Sequence, residues 1–226
     1  MALIRQIPTA ALLLGCAVFT LPAQSRQRLS LQLSGLYAKP FGGDYETFKV
    51  GSGMGAEAQL RYTPGAFSVG AGFQFTSHGA PNYALGLDDG SRVDVTGVGV
   101  QLFGAFIEPR IVILVGSERI APYLSGRVSL LRYANTANWA SRSQPYAGTM
   151  SSNTMGLTAN GGGGMLIRLT PRVNMDLGAT YGYSSFGKYT IRVTEQSGVS
   201  AQQNSSNGGS GSNLVMRVGL AVGIGG

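Results

Sequence analysis

The sequence predicts an all-β fold: a transmembrane antiparallel up-and-down β-barrel of about eight strands, with long extracellular loops and short periplasmic turns. Three observations predict it. Apolar and small polar residues alternate with period two through most of the chain, the links between these runs are by turns long and short, and lysine is missing from the runs.

The first strand is read from Leu29, Leu31, Leu33 and Tyr37, which alternate with Ser30, Gln32 and Ser34. Met54, Ala56, Ala58, Leu60 and Tyr62 mark the second, and Phe67, Val69, Ala71, Phe73 and Phe75 the third. Pro64-Gly65 makes a tight turn between them. The fourth strand runs from about Val95 to Ile113. Its apolar face begins at Val98 and Val100, then shifts to Phe103, Ala105, Ile107, Ile111 and Ile113, a slip of phase that predicts a β-bulge near Gln101 and Leu102. Pro109 must sit where no ladder hydrogen bond is lost.

Leu124, Val128 and Leu130 mark the fifth strand, and Leu157, Ala159, Met165, Ile167 and Leu169 the sixth. Val173, Met175, Leu177, Ala179, Tyr181 and Tyr183 form the seventh, and Leu214, Met216, Val218, Leu220, Val222 and Ile224 the last. Pro40–Ser52, His78–Ser91, Ala134–Asn153 and Phe186–Ser212 are read as long loops, the last with a disordered polar run from Gln202 to Ser212. The links near Pro64, Glu118 and Pro171 are short.

Composition agrees with a surface that does not meet water. Charged residues are 12% of the chain, and the only lysines are Lys39, Lys49 and Lys188, all in the links. A soluble sheet normally covers its wet face with Lys and Glu. The net charge of +7 is almost all scattered arginine, without a basic run or helix, which argues against nucleic acid as a partner. Residues 1–23 read as a cleaved signal peptide, with Arg5, an apolar stretch from Ala10 to Leu21, and a cleavage site at Leu21-Pro22-Ala23. Residues 24–226 are then one barrel domain. Cys16, the only cysteine, lies inside that signal. Leu13-Leu14-Gly15-Cys16 loosely resembles a lipoprotein cleavage box, but a hydrophobe in the signal core is the favoured reading.

Alternation alone does not say whether the apolar face fills an interior or meets lipid, and a lipocalin-like soluble barrel is the rival. The opposite face decides. It is small and polar, with isolated charges that include Arg61, Arg110, Arg127, Arg168 and Arg217. On a lipid face each arginine would cost about 2–4 kcal/mol near the midplane. Five such costs are comparable with a whole folding stability of about 5–15 kcal/mol. The arginines therefore point inward. Tyr37, Tyr62, Phe67, Phe75, Tyr181 and Tyr183 fall near strand ends, as interfacial girdles require.

Gly156 to Arg168, Asn174 to Tyr183 and Phe186-Gly187 are similar to the penultimate-hairpin segments of the OmpA/OmpX-type family of eight-stranded outer-membrane barrels. The resemblance covers nearly all of residues 24–226 and rests on pattern. It implies a bacterial outer-membrane location, insertion by the barrel-assembly machinery, contact with membrane lipid and lipopolysaccharide, and a monomer. The family usually ends in Phe or Trp, whereas this sequence ends Gly223-Ile224-Gly225-Gly226, so either its insertion signal differs or the true end lies beyond. No peptidoglycan-binding domain follows, and an anchoring role is not carried over.

Candidate chemistry is sparse. His78, the only histidine, stands beside Ser77, but no acid lies nearby in sequence and a solvated loop histidine is favoured over a serine–histidine hydrolase pair. Asp88-Asp89-Gly90 lacks the later ligands of a calcium loop and reads as a turn. Gly161 to Gly164 lacks a following Lys-Ser/Thr and reads as room for lumen side chains or lipid. No catalytic residue, metal or cofactor is expected. Trp139 and Tyr146 stand evenly between a receptor or carbohydrate contact and pinning of the third loop to the rim.

The most specific expectation is a lumen charge network of Glu57, Arg61, Glu108, Arg110, Arg127, Arg168, Asp176 and Arg217. A salt-bridged plug is favoured over a slightly anion-preferring pore, because eight strands leave an interior just wide enough for side chains. The function expected is non-enzymatic, structural or surface-interacting, ahead of a pore and then of a lipid-modifying enzyme.

Overall fold

Residues 28–43, 45, 50–86, 92–113, 115, 117, 119–142, 146–195 and 200–224 are described by a computed structural model. The signal segment with Cys16, and Asp88-Asp89-Gly90, lie outside them.

The alternating runs form β1 (Leu29–Phe41), β2 (Gly53–Tyr62), β3 (Phe67–Gly79), β4 (Tyr83–Gly86), β5 (Arg92–Val112), β6 (Ile120–Ser141), β7 (Ala147–Arg168), β8 (Val173–Glu195) and β9 (Ser200–Ile224). Neighbours pair antiparallel, β1 pairs with β9, and β3 pairs with β5. Eight strands thus close a ring, with the short β4 alongside the upper part of β5. Closure leaves the ring no open edge, which a sheet surrounded by lipid requires.

Each strand turns one row inward. Gln32, Glu108 and Asp176 have no exposed surface, while Leu33, Phe73, Ile107, Leu124 and Val218 each expose more than half of theirs. Tyr62 and Phe67 belt the short-turn end, and Tyr37, Phe75, Tyr181 and Tyr183 the other, all exposed outward. Phe67 and Phe75 stand on one strand. At about 3.3 Å per residue and a tilt of about 40°, their separation corresponds to roughly 20 Å along the axis. Tyr37 and Tyr181 donate to Ser52 Oγ (2.9 Å) and Ser212 Oγ (3.2 Å) at the upper belt. This is a membrane barrel, apolar outside and polar within.

The short turns fall where expected, and Gly65 takes a φ of 113° beside Pro64. The long links do not. The segment read as the third loop is mostly ladder, with Ala134↔Asn153 through Ala140↔Ala147 paired between β6 and β7. The fourth is also a hairpin, and Gln202 to Ser212, read as disordered, lies in β9 opposite β8. The sequence lost these strands because outside a membrane neither face needs the lipid-facing alternation. Polar strands still satisfy their backbones by pairing.

The bulge predicted near Gln101 and Leu102 is also corrected. Register between β5 and β6 shifts instead between Thr96 and Gly99, where Gly97 adopts a φ of 60°. Val98 and Val100 share the inward row with Phe106, Glu108, Arg110 and Val112. What changes at Gln101 is the polarity of the lumen, not the geometry of the strand. Pro109 points outward, and pairing to β6 skips Glu108 and Pro109 before resuming in the same register.

Removing residues 188–208 and rejoining the ends with a short turn is expected to spare the eight-strand ring, since loop-closure cost varies slowly with length. Gel mobility before and after boiling checks this. The unboiled form should still migrate differently from the boiled one, and loss of that difference would show that the upper hairpin is needed for closure.

Candidate functional site

The lumen is built in rows across the sheet. Tyr123 on β6, Gly164 on β7, Gly178 on β8 and Arg217 on β9 stand directly opposite one another in turn. The two glycines leave a gap that the flanking side chains enter from either side. A Cβ on Gly178 would lie 2.6 Å from the Tyr123 hydroxyl and 2.7 Å from Arg217 Nε. Across that gap an Arg217 Nη donates to the Tyr123 hydroxyl at 2.9 Å. Gly70 plays the same part between Arg61 on β2 and Glu108 on β5.

Glu108 is the centre. Its carboxylate accepts from Arg110 Nε (2.5 Å), Arg127 Nε (2.7 Å), Arg217 (2.6 and 2.8 Å) and Arg61 (3.2 Å). Arg127 reaches on to Glu57 at 2.7 Å. Arg110 and Arg217 reach Asp176 at 2.9 and 3.5 Å. Tyr123 and Gln32 each donate to Asp176 at 2.6 Å. Arg110 also lies 4.3 Å over the Tyr123 ring, and Arg127 4.0 Å over that of Phe106. Four guanidinium groups thus face three carboxylates, and one positive charge is left in excess.

Layers above and below complete the filling. Val112, Ala121, Tyr123 and Leu166 pack together at the short-turn end. Over the charges lies an uncharged polar layer, where Thr158 donates to Ser184 (3.0 Å), Asn160 to Asn213 (2.6 Å) and Asn213 to Ser184 (2.9 Å). Higher still, Tyr45 packs with Leu131 and Phe186. Its hydroxyl bonds to Ser184, and burial pushes its pKa up to about 12, so it stays neutral.

Seven of the eight expected network residues meet: Glu57, Arg61, Glu108, Arg110, Arg127, Asp176 and Arg217. Arg168 stands apart. It is half-buried at the end of β7, opposite Asn174 and beside Arg119, nearer the short turn than the cluster. Sequence reasoning missed Tyr123 and Gln32. Tyr123 is in phase with Ser125 and Arg127 and alternates with the outward Leu124, which is the signal that places it inward.

His78 is a further correction, being no loop residue. It is buried on β3, with its ring nitrogens 3.0 Å from Thr76 Oγ1 and 3.1 Å from the Gly51 carbonyl. Ser77 faces outward, so the two do not form a nucleophile–base pair. Trp139 is half-buried against Gly148 in the β6–β7 hairpin, while Tyr146 is exposed at its tip. Among the described residues no group of three or more His, Cys, Asp or Glu could hold a metal ion.

No protein-family model matches the chain, and no curated protein does. Among solved structures it is similar to Neisserial surface protein A, at 18% identity and a TM-score of 0.46 over 87% of this chain and 97% of that one. It is also similar to the outer membrane protein OprG from Pseudomonas aeruginosa, at 10% identity and 0.49 over 89% and 98%. A major outer membrane protein from Thermus thermophilus gives 14% identity and 0.49 over 85% and 98%.

Glu108→Gln leaves four guanidinium groups around a neutral amide. Breaking a buried pair on one side costs about 3–5 kcal/mol. Tyr123→Phe removes one hydroxyl and is expected to cost about 1–3 kcal/mol. Urea unfolding of both variants in lipid or detergent checks the order. A Glu108→Gln barrel as stable as the parent would contradict the central place given to this carboxylate.

Proposed function

We propose that the chain is a non-enzymatic bacterial outer-membrane barrel with a structural or surface-interacting role, its lumen plugged by the Arg/Glu/Asp cluster. The observation that carries the plug is Glu108, fully buried and held by arginines from β2, β5, β6 and β9. A solute moving along the axis would have to pull apart buried charge pairs. The outward apolar belt with its two aromatic girdles supports a lipid environment, and the long-link end is the extracellular one. Export by residues 1–23, insertion by the barrel-assembly machinery, contact with lipopolysaccharide, and a monomeric state belong to the same reading. All three carboxylates are taken up in ion pairs, so none is offered as a general base.

The excess positive charge favours one second reading, a narrow anion-preferring pore. Planar-bilayer recordings separate the two. The plug predicts little steady conductance from the parent protein. Arg110→Ala should raise it and lower stability by about 3–5 kcal/mol, because Glu108 and Asp176 lose a shared partner. A large, stable, anion-selective current from the parent protein would overturn the plug and establish the pore.

A further inference from the structure

Above Tyr45 the lumen opens into a cavity of about 120 Å³, walled by Tyr45, Tyr83, Tyr133, Phe186, Met150 and Ile191. Two features of this vestibule are not explained by a plug. The first is its aromatic, largely apolar wall at the water-facing end of the molecule. An apolar cavity of about 150 Å³ stays dry and takes up benzene, so this one is of the size for a single ring. The second is Asn135, paired with Val100 on the inward row and lining the same cavity. Its Oδ1 is buried and receives no hydrogen bond among the described residues. The side chain does bond the Tyr133 hydroxyl. Turning the amide round would only move the unsatisfied end from oxygen to nitrogen. A buried polar atom left in this state is costly unless something else meets it.

We propose that the vestibule binds a single-ring aromatic molecule bearing a hydroxyl, of the phenol class, with the ring among the tyrosines and Phe186 and the hydroxyl on Asn135. A hydroxyl donates and accepts, so it satisfies the amide in either orientation. The ring makes dispersion contacts with the apolar wall. Tyr45 forms the floor, so the ligand enters from the long-link end and stops above the charge cluster. The site goes beyond the plugged-barrel reading and does not depend on it, since a conducting barrel could carry the same vestibule.

The test uses the full folded chain in detergent micelles, with methionine methyl groups labelled for NMR and phenol as the probe. Met150 lines the cavity, whereas Met54, Met155 and Met216 face outward and report phenol that merely partitions into detergent. The expected result is a saturable shift of the Met150 methyl alone, with toluene bound about tenfold more weakly. Asn135→Leu should remove that preference while leaving toluene binding in place. Ile191→Trp should fill the cavity and abolish the Met150 response, with the three outward methyl signals and the heat-modifiable gel form unchanged. Four methyl groups drifting together without saturation, or a silent Met150, would overturn the site. Equal affinity for phenol and toluene would overturn the role of Asn135. Neither result bears on conductance, which separately decides between plug and pore.

Discussion

A carboxylate without access to water sits at the middle of this barrel, and the rest of the lumen is arranged around keeping it charged. Glu108 is satisfied only because arginines arrive from four strands. Two of them, Arg61 and Arg217, pass glycines that stand where a side chain would block them. Gly70, Gly164 and Gly178 are therefore part of the charge cluster, although they carry no charge. The cluster braces the ring across its diameter, which the hydrogen-bonded ladder around the circumference does not do.

Such a brace adds little net stability over a well-packed apolar interior, because desolvating the ions costs about as much as pairing them returns. Its physical effect is to specify register. A one-residue slip of any strand would move its whole inward row to the lipid face. For β2, β5, β6 or β9 that row includes an arginine, at about 2–4 kcal/mol near the midplane, and the slip would also break the pairs left behind. Within lipid, apolar side chains gain nothing from burial against one another that the hydrocarbon does not already offer. The inward charges therefore discriminate between registers where a hydrophobic pattern could not do so alone.

How much of this was legible follows from what alternation reports. The period of two and the inward place of Arg61, Arg110, Arg127 and Arg217, and of Glu57, Glu108 and Asp176, could be read from single strands, since each needs only its own face; which of them pair could not. Arg168 shared the right face but stood too near a turn, and height along the axis depends on stagger between strands. His78 and the hairpins of β6–β7 and β8–β9 were misplaced for another reason. Polar composition marks where the chain leaves lipid, and it was taken for where the strand ends. Tyr45 carried no sequence signal at all, because it reaches the lumen from a link with no period.

The slip of phase in β5 joins these points. Below Gln101 the outward row is Phe103, Ala105 and Ile107, and the inward row passes to glutamate and arginine. Above it the inward row is Val98 and Val100, and on the paired β6 the inward residues are Leu131, Tyr133 and Ala137 while Arg132, Thr136 and Asn138 face out. The pattern inverts while the pleat continues. In lipid the outside must be apolar and the lumen is left to hold the charge. Beyond the upper girdle the outside meets water, and the lumen becomes the core of a small soluble barrel. One set of strands thus serves two solvents in succession. Charge satisfaction closes the membrane half, and apolar packing about Tyr45, Leu131 and Phe186 closes the base of the other.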